Sequence, residues 1–248
     1  MRIPDDIFEN PRLVEVYDAF EGARLDLVHY LRIARELNAA SILDVGSGTG
    51  CLACLLNREG FEVTALEPAR ASLDKARSKP GADGIRWIHG DAQALPPMQV
   101  DLAFMTGNVA QVFLSNGEFE AVLRAIRSAL KPGGFLVFET RDPARRAWLD
   151  WTEEKTRRQR DLEGIGIVEA WNEGVAVAGE RVSFFSCFRF HRDDSLFRSK
   201  STLRFRRKDD VIRSLRATGF RVDEIRDAPD RPGREFVFIA GAVGERDS

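Results

Sequence analysis

Asp44-Val45-Gly46-Ser47-Gly48-Thr49-Gly50 closes a short apolar run that begins at Ser41 and precedes a helix-like stretch from Cys51 to Glu59. The order is strand, glycine turn, helix. Glycine lets the backbone take positive φ and come close to a ligand. The helix that follows presents free N–H groups at its start. A nucleotide-like cofactor at the carboxyl ends of parallel strands is the natural occupant of such a turn. The dinucleotide fingerprint is G-x-G-x-x-G. Counted from Gly46, its third glycine would fall at position 51, which is Cys; here it comes one residue early, at Gly50.

Outward from this turn, strands and helices alternate. Phe61–Leu66 reads as a second strand closed by Glu67-Pro68, Ala69–Lys79 as a helix, and Gly84–Ile88 as a third strand ended by His89-Gly90-Asp91. Val100–Met105 reads as a fourth strand, Glu118–Leu130 as a helix stopped by Lys131-Pro132-Gly133-Gly134, and Phe135–Glu139 as a fifth strand. Such alternation predicts a parallel sheet with right-handed crossovers and helices on both faces. Upstream, residues 11–38 have helical spacing, with Leu27, Val28, Leu31, Ala34 and Leu37 on one stripe. Downstream, residues 144–163 are rich in charge and Trp and predict a helix or lid. From Gly174 to Arg206 the period is two, with Val182, Phe184, Ser186, Phe188 and Phe190 on one face, and Asp193-Asp194-Ser195 reads as a turn. That pattern predicts an inserted antiparallel hairpin. Lys208–Thr218 reads as a helix, and Phe220–Arg226 and Arg234–Ala240 as the last two strands.

Composition limits the function. The 248 residues are 44% hydrophobic and 31% charged, so the chain can bury a core. Lys and Arg number 37 against 39 Asp and Glu, a net charge of −2, so no global basic field exists to hold nucleic acid. The longest uncharged run, Leu102–Gly117, is broken by Thr, Asn, Gln, Ser and Gly and predicts no membrane span. The start, MRIPDDIFENPR, lacks the apolar stretch of a secretory signal. Cys51 and Cys54 have no second pair or His cluster to complete a zinc site, and read as buried helix residues. A soluble, cytoplasmic protein is expected.

The segment D-x-G-x-G-x-G resembles motif I of the class I S-adenosylmethionine-dependent methyltransferases, of the small-molecule, methyltransferase 11/25-like type. Gly90-Asp91-Ala92, Val100–Gly107, Leu130–Val137 and the closing helix, strand, turn and strand are similar to later motifs of that family, in the same order. The resemblance covers residues 41–143 and 208–240. It implies one Rossmann-like α/β domain over 1–248, with a seven-stranded sheet in the order 3-2-1-4-5-7-6 and strand seven antiparallel. A helical cap over 1–40 and inserted lid strands over 144–206 complete that expectation.

The resemblance also implies site residues. Gly46, Ser47, Gly48 and Gly50 would line the methionine part of S-adenosylmethionine, with Asp44 near its amino group. Glu67, followed by Pro68, would hold the ribose; an ionised carboxylate can accept from both hydroxyls. After Gly90, Asp91 would meet the adenine amino group and the Ala92 N–H a ring nitrogen, although Asp91 also reads as a helix N-cap. Thr106 and Gly107 would lie beneath the sulfonium. In the cap, Tyr17 would stack near the methionine end and Arg24 would meet its carboxylate.

Methyl transfer is an in-line displacement, and the protein mainly supplies alignment and exclusion of water. A general base is needed only where the acceptor holds a proton at neutral pH. The family motifs therefore name no catalytic residue; Arg141, His191 and Tyr17 are the candidates. Arg141 also reads as an ion-pair partner of Glu139 or Asp142, and His191 as a solvated strand-end residue. After the fourth strand stands Met105-Thr106-Gly107-Asn108-Val109-Ala110, not the Asn/Asp-Pro-Pro-aromatic motif of base-modifying enzymes. No carboxylate cluster for Mg²⁺ follows it either. The expectation is metal-independent methylation of N or O on a small-molecule acceptor, by a monomer or a homodimer formed through the inserted hairpin. A non-catalytic partner subunit and an RNA methyltransferase are the alternatives.

Overall fold

The computed structural model describes residues 3–22 and 24–244. Positions 1–2, 23 and 245–248, part of the expected 1–248 unit and of the 1–40 cap, lie outside the described residues.

The central sheet grows from segments that are apolar on both faces. In β1 (Ser41–Val45) every residue is buried, and β2 (Glu62–Glu67) is buried after its first residue. Strands of this kind suit a sheet covered by helices on both sides. β3 (Arg86–His89), β4 (Val100–Met105) and β5 (Leu130–Arg141) join them in parallel. The last two strands, β10 (Phe220–Asp227) and β11 (Glu235–Ala242), form a hairpin, and β11 runs antiparallel beside β5. The seven-strand order is β10-β11-β5-β4-β1-β2-β3. With the inserted strands β6–β9 set aside, it is the expected 3-2-1-4-5-7-6.

Helices cover both faces. α6 (Asn116–Ala129) and α8 (Lys208–Ala217) bury Phe119, Leu123, Val211 and Leu215 on one side. α3 (Asp26–Glu36) and α4 (Cys51–Arg58) bury Tyr30, Ile33, Leu52 and Leu56 on the other. α6 starts with a capping box, in which Ser115 and Glu118 each accept from the other's backbone N–H. α5 (Arg70–Arg77) follows β2.

Two segments differ from the sequence expectation. Residues 11–38 are not one helix: α2 (Pro11–Glu21) ends at Gly22, where φ is +74°, before α3 begins. The one-turn helix α1 (Asp6–Glu9) precedes them. The insert is larger than a hairpin. After two 3₁₀ turns and the one-turn α7 (Glu153–Thr156), four antiparallel strands follow: β6 (Arg158–Leu162), β7 (Gly166–Ala178), β8 (Arg181–Phe190) and β9 (Ser195–Arg204). The expected hairpin is its β8–β9 half, turned at Asp194 with φ of +53°. No helix among the described residues is long and apolar enough to cross a membrane.

α2 joins insert to cap. Leu13, Val16 and Phe20 pack on Val168, Ala170, Phe188 and Phe190 of the insert sheet. Phe20 meets Phe188 edge to face at 5.7 Å. Replacing Leu13, which is 1% exposed, with alanine should cost about 3 kcal/mol of stability. Urea unfolding measures it; a loss below about 1 kcal/mol would mean that α2 does not depend on this contact.

Candidate functional site

The chain leaves β1 through three glycines with positive φ, Gly46, Gly48 and Gly50. Two of them show why glycine is required. A β-carbon at Gly50 would stand 2.8 Å from Ala76 and Trp87, so Gly50 lets α4 and α5 approach. At Gly48 a β-carbon would meet no protein atom within 4 Å. That position lines a cavity, and φ of +54° keeps side chains out of it.

This first cavity, of about 190 Å³, lies at the carboxyl ends of β1, β2 and β4. Glu67 forms part of its wall and is 6% exposed. Its two oxygens accept from the Gly48 N–H at 2.7 Å and the Ala69 N–H at 2.8 Å. Burial pushes its pKa up to about 7 against the pull of those two donors. Asp44 is 1% exposed, and its Oδ2 has no partner among the described residues. Burial, reinforced by the Glu67 charge, raises Asp44 to about 7 as well. Ser47 Oγ is likewise buried without a partner. A cavity with an unsatisfied buried carboxylate and hydroxyl fits a ligand that brings hydrogen-bond donors and positive charge. The ammonium and sulfonium of S-adenosylmethionine answer that description.

A second cavity, of about 290 Å³, adjoins the first. Asp5, Phe8, Tyr17, Arg24, Gly107 and Val112 line both. The second is closed by the cap, the insert sheet and the ends of β5 and β11, with Tyr30, Glu139, Trp151, Phe184 and Glu235 in its wall.

A family described as a methyltransferase domain matches residues 42–134, the stretch that carries the glycine turn, Glu67 and the β4 loop. Residues 42–134 carry a methyltransferase domain. Over 135 residues the chain is 32% identical to the cypemycin N-terminal methyltransferase of a Streptomyces species, a match covering 53% of this chain and 55% of that protein. The chain spans between 27% and 55% of the length of the first curated relatives it matches. In fold it is similar to the CcbJ methyltransferase of Streptomyces caelestis, with a TM-score of 0.77 at 19% identity over 96% of this chain and 97% of that one. The sugar N-methyltransferase KedS8 of a Streptoalloteichus species gives 0.73 at 21% identity, over 92% and 93%.

Around the two cavities the structure brings many of the expected residues together. Asp44, Gly46, Ser47, Gly48, Glu67, Pro68 and Thr106 line the first cavity, and Tyr17, Arg24 and Gly107 stand where the two cavities meet. The Arg24 guanidinium also pairs with Asp26 at 2.7 Å. Other expected residues stand apart. Gly50 is pressed against α5 and lies outside the cavity lining. Gly90, Asp91 and Ala92 sit beside the end of β2, where the Gly90 N–H reaches the Glu67 carbonyl at 3.0 Å, but none of the three lines the cavity. Asp91 accepts from the Gln93 N–H and caps the 3₁₀ turn Ala92–Ala94.

Of the catalytic candidates, Tyr17 and Arg141 line the second cavity and His191 does not. His191 lies just past the end of β8, 43% exposed and 3.6 Å from Glu169, in a shallow surface hollow with Asp161 and Gly164. The direction in which the hairpin runs carries it away from the site. Arg141 lies 3.5 Å from Glu235 and donates to Gln111 at 3.1 Å, so its carboxylate partner is neither Glu139 nor Asp142. Among the described residues no three His, Cys, Asp or Glu side chains gather as a metal site.

Sequence reading missed the tie between α2 and the glycine turn. Asp18 accepts from Thr49 Oγ1 at 2.5 Å and pairs with Lys79 at 2.5 Å, and Lys79 reaches the Cys51 sulfur at 3.1 Å. It also missed Tyr30, Asn108 and Glu235. Tyr30 donates to Glu139 Oε2, the Asn108 N–H donates to Glu139 Oε1, and Asn108 Nδ2 reaches Glu235 at 3.4 Å. A carboxylate closing the fifth strand, two residues before Arg141, was the one available signal.

A folded-state pKa of about 7 at Asp44, against about 4 in an unfolded chain, makes the folded form hold an extra proton between those values. The wild type therefore loses stability relative to Asp44→Asn as pH rises from about 4 to about 7, by at most ~4 kcal/mol. Paired urea titrations at pH 5 and pH 8 test this without ligand. A difference between the two proteins that stays constant with pH would show that Asp44 is not held in this way.

Proposed function

We propose that this chain transfers a methyl group from S-adenosylmethionine to a nitrogen or oxygen atom of a small-molecule acceptor, without a metal ion. The observation that carries this reading is the meeting of the two cavities along Gly107 and Tyr17. A cofactor in the first cavity and an acceptor in the second would face each other across that boundary. In the first, Asp44 and the Ser47 hydroxyl would take the cofactor's ammonium, and Glu67 the ribose hydroxyls. Glu67 is held by two backbone donors and keeps lone pairs for those hydroxyls.

The bound cofactor supplies a methyl group on a positively charged sulfur. What the chain contributes is position and dryness. Phe8 and Val112 wall both cavities, and Tyr17 and Phe8 pack edge to face at 5.6 Å beside them. Excluding water there strengthens each charge interaction and holds the two reacting atoms in line.

Calorimetric titration with S-adenosylhomocysteine, with NADH as control, tests the cofactor assignment. Stoichiometric binding of the first alone is expected, and preferential NADH binding would refute the reading. Glu67→Ala should weaken S-adenosylhomocysteine by about 2 kcal/mol, roughly thirtyfold, through lost hydrogen bonds to a charged group. Unchanged affinity would remove Glu67 from the ribose site.

A further inference from the structure

The second cavity is asymmetric in charge and in hydrogen-bonding sense. Of its arginines, Arg24 is paired with Asp26, Arg231 with Glu235 at 2.7 Å and Asp230 at 3.3 Å, and Arg141 with Glu235. Arg158 is exposed at the rim and donates to the Phe20 carbonyl. Glu139 is different. It is 3% exposed and makes no ion pair among the described residues, the Arg231 charge acting on it only at longer range; its two oxygens are held by neutral donors, the Tyr30 hydroxyl and the Asn108 N–H. Next to it, Asn108 is 4% exposed, and its Oδ1 is buried with no donor supplied by any described residue. The amide orientation follows from its neighbour, because Asn108 Nδ2 reaches the Glu235 carboxylate and an oxygen placed there would face another oxygen. At the rim, Asp5 and Glu21 add further carboxylates without ion pairs among the described residues.

The deep end of this cavity therefore presents acceptors, and the carboxylate there that is outside an ion pair is that of Glu139. A carboxylate or phosphate there would be repelled by Glu139, and an alcohol has one donor for two waiting acceptors. An ammonium brings positive charge and several N–H donors. The place is also right: Asn108 follows Gly107, which lines both cavities, so a group bound by Glu139 and Asn108 sits next to the cavity boundary.

We propose that the acceptor is an amine, bound in its protonated form through the Glu139 carboxylate and the Asn108 side-chain oxygen, with Glu139 as a catalytic residue that takes the proton. This rests on the methyl-transfer reading above. The ammonium gives one proton to Glu139. The freed nitrogen lone pair then forms the N–C bond to the methyl carbon as the C–S bond breaks, and that electron pair stays on sulfur. The product is a methylated ammonium, and Glu139 returns its proton to water once the product leaves. Tyr30 is a positioning residue: it holds one Glu139 oxygen and leaves the carboxylate aimed by two fixed donors.

Saturation-transfer NMR on the full chain loaded with S-adenosylhomocysteine tests the proposal. The probes are cyclohexylamine, cyclohexanol and cyclohexanecarboxylate at equal concentration, alike except for one substituent. The amine should receive the strongest saturation, and Glu139→Gln, checked for unchanged S-adenosylhomocysteine affinity, should reduce it at least fivefold. A signal from the alcohol or carboxylate equal to the amine's, no signal from any probe, or an unchanged amine signal in a folded Glu139→Gln would overturn the proposal. If Glu139→Gln does not fold, the wild-type ranking decides. Failure of S-adenosylhomocysteine to bind the wild type is a separate result and counts against the methyl-transfer reading itself.

Discussion

The carboxylate of Glu67 spans two backbone turns that lie far apart in sequence, accepting from Gly48 after β1 and from Ala69 after β2. Each donor sits at a helix approach, where N–H groups lack partners along the chain. Buried N–H groups must be satisfied somewhere, and here one side chain satisfies both. The turn's first two N–H groups, of Gly46 and Ser47, reach the Leu66 carbonyl next to it. The spacing between the ends of β1 and β2 is thus set by a few bonds around one residue. The shape of the first cavity, the start of α4 and the contact of Gly50 with α5 all follow from that spacing. The same carboxylate is raised to about 7 by the burial that this arrangement demands.

The parts of this fold that could be read from sequence are those in which cause and effect are local. β1 and β2 are apolar on both faces, and the glycines between β1 and α4 stand in a row, so strand, turn and helix announce themselves. Acidic residues at strand ends, Asp44 and Glu67, are visible for the same reason. What could not be read has longer reach. β6, Arg-Gln-Arg-Asp-Leu, is exposed for four of its five residues and has no apolar face to betray it. β7 has one, but a register shift between Glu173 and Ala176 breaks the period of two there. The acceptor-side network joins Tyr30 to Glu139 and Asn108 to Glu235, pairs separated by 109 and 127 positions. His191 shows the converse failure: a residue at a strand end invites a functional reading, but the hairpin's direction decides which end meets the site.

α2 connects three parts of the molecule with three of its faces. Leu13, Val16 and Phe20 seat it on the insert sheet. Asp18 fixes it to Thr49 of the glycine turn and to Lys79 just after α5. Tyr17 reaches the boundary between the cavities. Neither cavity is complete without it, so movement of the insert and the geometry of the cofactor turn are mechanically connected through one helix of 11 residues.

The two cavities draw their walls from different stretches of chain. The first is built mostly from residues 44–112, and the second mostly from the cap, the insert and the closing hairpin, with Gly107 and Val112 shared between them. Outside the six residues that line both, mutations that reshape one can accumulate without changing the lining of the other. Selection for a new acceptor would act on the flanking segments, and the half that holds the methyl donor could pass unchanged from one chemistry to the next.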